Sequence, residues 1–268
     1  VVLTIAQRHD SRLTIVGRFY GWNTFGAAIG TLVCGFFAIR LLGISQSYYC
    51  AMALNLSAAA LCTLLLLNTR QPTVTAPDIS QQTGYAVKNK LSEGYLLLIA
   101  GASGALVLSL EVVWSRFAGF VLGNRTYAFT LLMFTVLTLL AAGSWLSAWL
   151  YRSSLKRSDT NPYTVFINLL ALSALAIVLS AAGGWWLVEN QSEFEALLTN
   201  LDSNIVMYRF LEAFVLLALP LVFLGALLPL AVAQSRHCAG NIGQTTARFY
   251  VINAIGIVLG SLGTGFLG

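Results

Sequence analysis

Apolar residues in this chain arrive in blocks, each closed by a charged residue or a short polar run. Charge-free stretches run from Phe19 to Ile39, Leu41 to Thr69, Thr126 to Tyr151, Thr160 to Val188, Ala213 to Ser235 and Phe249 to Gly268. A further stretch from Gly94 to Asn124 is interrupted only by Glu111 and Arg116. A bilayer core takes about 20 residues of helix to cross, and each block reaches that length. No soluble core needs the same length so many times over. The pattern predicts an all-α polytopic bundle of roughly seven spanning helices.

Composition agrees. Apolar residues make up 57% of the chain and charged residues only 9%, and the mean hydropathy is +0.78, whereas soluble domains are about one quarter charged. The net charge of +5 separates by side when lysines and arginines are assigned to alternate loops. One side receives Arg8, Arg12, Arg18, Arg70, Lys88, Lys90, Arg152, Lys156, Arg157, Arg236 and Arg248; the other receives Arg40, Arg116, Arg125 and Arg209, with the acidic loop of Glu189, Glu193, Glu195 and Asp202. The positive-inside rule makes the first side cytoplasmic, so the chain is expected to start in the cytoplasm. The positive charge is therefore read as a topology signal, with no nucleic-acid surface implied. The lipid bilayer is the expected partner.

Organisation follows from the polar interruptions. Residues 1–70 carry two spans, 71–92 form a cytoplasmic linker rich in Pro, Thr, Gln and Gly, and 93–268 carry five spans. The acidic outer loop has an apolar piece, Phe194 to Leu198, that suits an interfacial helix. The chain opens on Val1 without Met and stops at Gly268 inside an apolar block, so the parent protein is expected to continue. Cys34, Cys50, Cys62 and Cys238 form no CxxC pair, and His9 and His237 have no second ligand at metal spacing. No metal site and no cofactor is expected.

An internal repeat stands out. GRFYGWNTFGAAIGTLVCGF (Gly17 to Phe36) aligns without gaps on ARFYVINAIGIVLGSLGTGF (Ala247 to Phe266), pairing Arg18 with Arg248, Tyr20 with Tyr250, Asn23 with Asn253, Gly26 with Gly256, Gly30 with Gly260 and Gly35 with Gly265. An even number of crossings separates the copies, so both start on the same side. That is the parallel-repeat symmetry of the two halves of major-facilitator transporters. Gly26/Gly30 and Gly256/Gly260 are each one turn apart, which suits close approach of a neighbouring backbone, with a hinge beside a substrate as the alternative. Asn23 and Asn253 lie just inside, where a side-chain amide needs an interhelical partner or a ligand.

These residues also carry a family likeness. SGALVLSLEVVWSRFAGFVLGNRTYAF (Ser103 to Phe129), GSWLSAWL (Gly143 to Leu150), LGALLPLAVA (Leu224 to Ala233) and the Arg-Phe-Tyr-x-x-Asn element resemble the membrane portion of bacterial membrane-bound spermidine-synthase-like proteins, also described as fused major-facilitator and spermidine-synthase proteins. The resemblance implies a bacterial inner-membrane protein with a major-facilitator-like architecture, connected with polyamine chemistry. In that family a cytoplasmic aminopropyltransferase-type domain commonly follows the membrane unit. No strand and Gly-rich turn suited to a nucleotide cofactor stands outside the spans here, so no catalytic residue is carried over.

Two carboxylates fall inside predicted spans. Glu111 lies toward the outer end of its helix and Glu212 near the outer end of the next-to-last one, with Arg116 and Arg209 at similar depth. Such residues mark pairing or function by default. The spacing allows Glu–Arg pairs that hold the second half together, or a cation site in an outward-facing cavity. Trp114, Trp145, Trp149, Trp185 and Trp186 are read as aromatic belts. Three roles remain open: a transporter-like unit for a small cationic solute, a membrane anchor for a transferase domain outside this chain, or an accessory subunit whose Gly-rich faces bind other membrane subunits. Activity as an enzyme is not expected of this chain alone.

Overall fold

A computed structural model of the chain describes residues 2–68, 92–122, 126–156, 162–190, 192, 205–235 and 242–267. Among these the regular structure is entirely helical: α1 (Val2–Leu32), a π-helical segment (Val33–Ala38), α2 (Ile39–Asn68), α3 (Glu93–Leu122), α4 (Thr126–Lys156), α5 (Pro162–Glu189), α6 (Ile205–Gln234) and α7 (Ile242–Leu267). Among the described residues six helical elements are long and apolar enough to cross a membrane. The length and composition of these helices place the chain in a lipid bilayer as a multi-pass protein. The linker at 71–91 and the Phe194 to Leu198 piece lie outside the described residues.

The sequence pattern predicts about seven spans, and the difference from six lies at the first two blocks. Arg40 separates them in sequence, and helix runs past it only as far as Leu42 before a non-helical joint divides the Gly17–Leu65 element. A single arginine with a long aliphatic stem does not end a helix, because good helix formers on both sides keep the backbone bonded. The interruption comes at Gly43, whose φ of 76° and ψ of 174° are non-helical.

The core is built around α6. In its most apolar 18-residue stretch 67% of residues are buried, against 11% in the corresponding stretch of the Gly17–Leu65 element. Leu217, Leu221, Leu227 and Val232 are almost fully buried, together with Leu96 of α3, Val136 of α4 and Phe166 of α5. Glycines set the helix separations. A Cβ at Gly143 of α4 would overlap the Val222 carbonyl oxygen of α6, and one at Gly225 of α6 would lie 2.7 Å from the Leu140 carbonyl oxygen of α4. The two backbones therefore touch from both sides, as small residues permit inside lipid.

The same crossing accommodates a proline. Pro229 in α6 lacks the N–H that would bond the carbonyl one turn earlier, that of Gly225. Ser144 of α4, fully buried, places its hydroxyl 3.2 Å from that Gly225 oxygen and 2.9 Å from its own helix's Leu140 carbonyl. The single hydroxyl proton is shared between the two carbonyls, so Ser144 partly replaces the donor that proline removes, as side chains in membrane helices commonly do.

Candidate functional site

The two repeat copies sit on α1 and α7, and their equivalent tyrosines meet. The rings of Tyr20 and Tyr250 stand edge to face with centroids 5.6 Å apart, a favourable aromatic geometry. Beyond this point the copies differ.

On α7 the repeated residues engage α3, which runs parallel to it. Arg248 forms a salt bridge with Glu93 at the start of α3, Nη1 to Oε1 2.9 Å. A Cβ at Gly256 would overlap the Gly101 carbonyl oxygen, and one at Gly260 would overlap that of Ala105. Asn253 abuts Gly104, where a Cβ would collide with the Asn253 backbone oxygen and lie 2.7 Å from its Oδ1. Ser109 of α3 donates to the Gly260 carbonyl at 3.2 Å, and Arg116 Nη2 donates to the Gly265 carbonyl at 2.6 Å. The glycines bring the backbones together, and the polar side chains on α3 then reach carbonyls of the adjoining helix.

On α1 the equivalent face is open among the described residues. Asn23, Gly26 and Gly30 are exposed, and a Cβ at either glycine would meet nothing within 4 Å. The close approach expected at both glycine pairs is thus found at Gly256/Gly260 and not at Gly26/Gly30. Instead α1 packs through its other side. A Cβ at Gly17 would lie 3.1 Å from Ser147 Oγ, one at Gly21 would collide with the Trp145 indole, and Ala28 is fully buried. At Gly35, in the π-helical segment, a Cβ would overlap the Thr130 side chain. Gly17-Arg-Phe-Tyr-Gly21 has the same one-turn spacing as the repeated pair, and that spacing was the available signal.

Of the intramembrane charges, Glu111 is half-buried on α3. It has no hydrogen bond or ion pair with any described residue. Arg116, expected beside it, is directed to the Gly265 carbonyl near the C-terminal end of α7, where a cation complements the helix dipole. The side chains of Arg209 and Glu212 lie outside the described residues, so the Glu–Arg pairing expected there stays a sequence expectation. Trp114, expected in a belt, is instead 6% exposed in the core beside Gly184. Trp185 and Trp186 are exposed, and Trp185 Nε1 donates to Glu189 Oε1 at 2.8 Å.

A second polar feature, absent from the sequence reading, lies between α1 and α4 at the Arg18 end. A cavity of about 460 Å³ is lined by Arg18, Trp22, Trp145, Ala148, Trp149 and Arg152. Among the described residues no group of three His, Cys, Asp or Glu side chains converges as metal ligands would. Compared with known proteins, the chain matches no family model, no curated protein and no solved structure.

Proposed function

We propose that this chain is the membrane unit of a two-repeat, major-facilitator-like bundle of about seven spans, of the spermidine-synthase-like kind, and that it handles a small cationic solute at Glu111. The observation that carries the reading is the state of Glu111: a half-buried carboxylate on a spanning helix, with no partner among the described residues. Arg116 is held on Gly265 and does not neutralise it. A carboxylate in that setting attracts a cation or a proton, because an isolated charge within the membrane is costly. The Tyr20–Tyr250 contact supports a repeat axis passing between α1 and α7, with both copies starting on one side. The excess of lysine and arginine favours the cytoplasm for that side, and the resemblance to spermidine-synthase-like proteins implies a bacterial inner membrane.

The test is Glu111→Gln in the purified chain reconstituted in vesicles, read by uptake of a labelled polyamine and by the yield of monodisperse protein. Uptake should fall at least tenfold with yield unchanged. Lost yield with proportionate loss of uptake would make Glu111 structural, and unchanged uptake would refute the cation site. Orientation is checked separately with single cysteines at Arg157 and Glu193. Labelling from outside intact cells is expected at 193 only, and the reverse would invert the assignment.

A further inference from the structure

The two arginines that open the repeat copies have different surroundings. Arg248 is paired with Glu93. Arg18 has no acidic partner among the described residues, and neither has Arg152, yet both line the same cavity between α1 and α4. Two guanidiniums lining one space with no acidic partner among the described residues repel each other, and an anion between them removes that repulsion.

The remainder of the cavity is aromatic and firmly placed. The Trp145 ring packs against Gly21, where a Cβ would collide with it. Its centroid lies 5.4 Å from that of Trp22, in a T-shaped pair, and 5.5 Å from that of Phe25. Trp22 and Trp149 are 60% and 63% exposed, so their faces are available at the mouth of the space. The location is also restrictive. Arg18 immediately precedes the charge-free stretch from Phe19 to Ile39, and Arg152 immediately follows the one from Thr126 to Tyr151, which puts both guanidiniums where hydrocarbon gives way to headgroups.

We propose that this cavity is a binding site for an anionic phospholipid headgroup. Its phosphate sits between the Arg18 and Arg152 guanidiniums, which suit bidentate hydrogen bonding to phosphate oxygens. The glycerol and first acyl carbons lie over Trp22 and Trp149, whose rings accept contact with the apolar part of an amphiphile at the interface. A volume of about 460 Å³ admits such a headgroup and lies within the range of small-molecule sites. A soluble phosphate ester shares the anionic chemistry but has no apolar part to cover the exposed tryptophans. This assignment uses neither Glu111 nor the family resemblance.

The experiment measures lipid retention by native mass spectrometry on the purified chain, in detergent supplemented with equal phosphatidylglycerol and phosphatidylcholine. Wild type should retain phosphatidylglycerol selectively. The double variant Arg18→Gln/Arg152→Gln should bind it about twenty-five-fold more weakly, since each basic residue at an anionic surface contributes a factor of about five. Arg40→Gln, an exposed arginine away from the cavity, should leave retention unchanged. A mutation-free measurement supports the reading: brominated phosphatidylglycerol in vesicles should quench the tryptophan emission of wild type more than brominated phosphatidylcholine does, and Trp149→Phe should reduce the difference. Equal retention of the two lipids, unchanged retention in the double variant, or quenching independent of headgroup charge would each overturn the site. Displacement of bound phosphatidylglycerol by glycerol phosphate at equal concentration would overturn the lipid assignment in favour of a soluble anion.

Discussion

The first and second repeat copies share Arg-Phe-Tyr, an asparagine and a one-turn glycine pair, yet only the second uses that face against another helix. On α7, Arg248, Asn253, Gly256 and Gly260 all meet α3. On α1, Asn23, Gly26 and Gly30 point away from the described protein, and the helix is held by Gly17, Gly21 and Ala28 on its far side. A small-residue motif therefore specifies a surface that a backbone can approach. Which backbone does so depends on the elements packed around it, and that information sits outside the motif.

The largest effect that would sharpen the contrast is steric. Gly256→Leu and Gly260→Leu drive side chains into the α3 backbone at Gly101 and Ala105. Each should cost about 3 kcal/mol or more, the upper end for overpacked cores, read as lost monodisperse protein on heating. Gly26→Leu and Gly30→Leu enter open space, and should change stability by less than about 0.5 kcal/mol. Equal sensitivity in both pairs would break the comparison.

The next effect runs the other way. Gly21 corresponds to Val251 in the second copy, and Val251 is 58% exposed. Transferring that residue, Gly21→Val, pushes a branched side chain onto the Trp145 indole and should destabilise by about 1–3 kcal/mol. The reciprocal Val251→Gly should cost only the helix propensity difference, under about 1 kcal/mol. Chemical unfolding of both variants in one detergent checks the reversal. The smallest effect belongs to the arginines. Arg248→Gln removes a partly exposed ion pair worth under about 1 kcal/mol, while Arg18→Gln should leave stability unchanged within error.

From α3 onward each apolar block became one helix, but charge did not always end it: α4 runs on through Arg152 to Lys156 and α7 begins before Arg248, whereas α3 and α5 keep close to their blocks. Gly94 to Asn124 became Glu93–Leu122, and Thr160 to Val188 became Pro162–Glu189. The boundary between the first two blocks was legible only approximately, because Arg40 marks polarity and leaves the backbone bonded, and the break follows at Gly43, which carries no charge. Charge reports where a side chain prefers water, and the backbone responds to different constraints. Within the candidate site, Glu111 and Arg116 were recognisable as intramembrane charges. That Arg116 serves the Gly265 carbonyl was not, because the contact joins helices distant in sequence. The Arg18 and Arg152 cavity was hidden for the same reason, and the link between Ser144 and Pro229 needs the α4–α6 crossing to be known.

Gly43 has a mechanical consequence. A straight helix over the 49 residues from Gly17 to Leu65 would be about 74 Å long at 1.5 Å per residue, more than twice the roughly 30 Å of a hydrocarbon core. The single joint at Gly43 divides it into two limbs, each of bilayer length. The first limb is clamped to α4 through Gly17, Gly21 and Gly35, while the second is exposed along nearly its whole length. The arrangement is that of a pair of compasses with one leg pinned. The dihedral angles at Gly43, φ 76° and ψ 174°, lie in a region that side-chain-bearing residues rarely occupy, so one residue without a side chain sets the direction in which the free leg points.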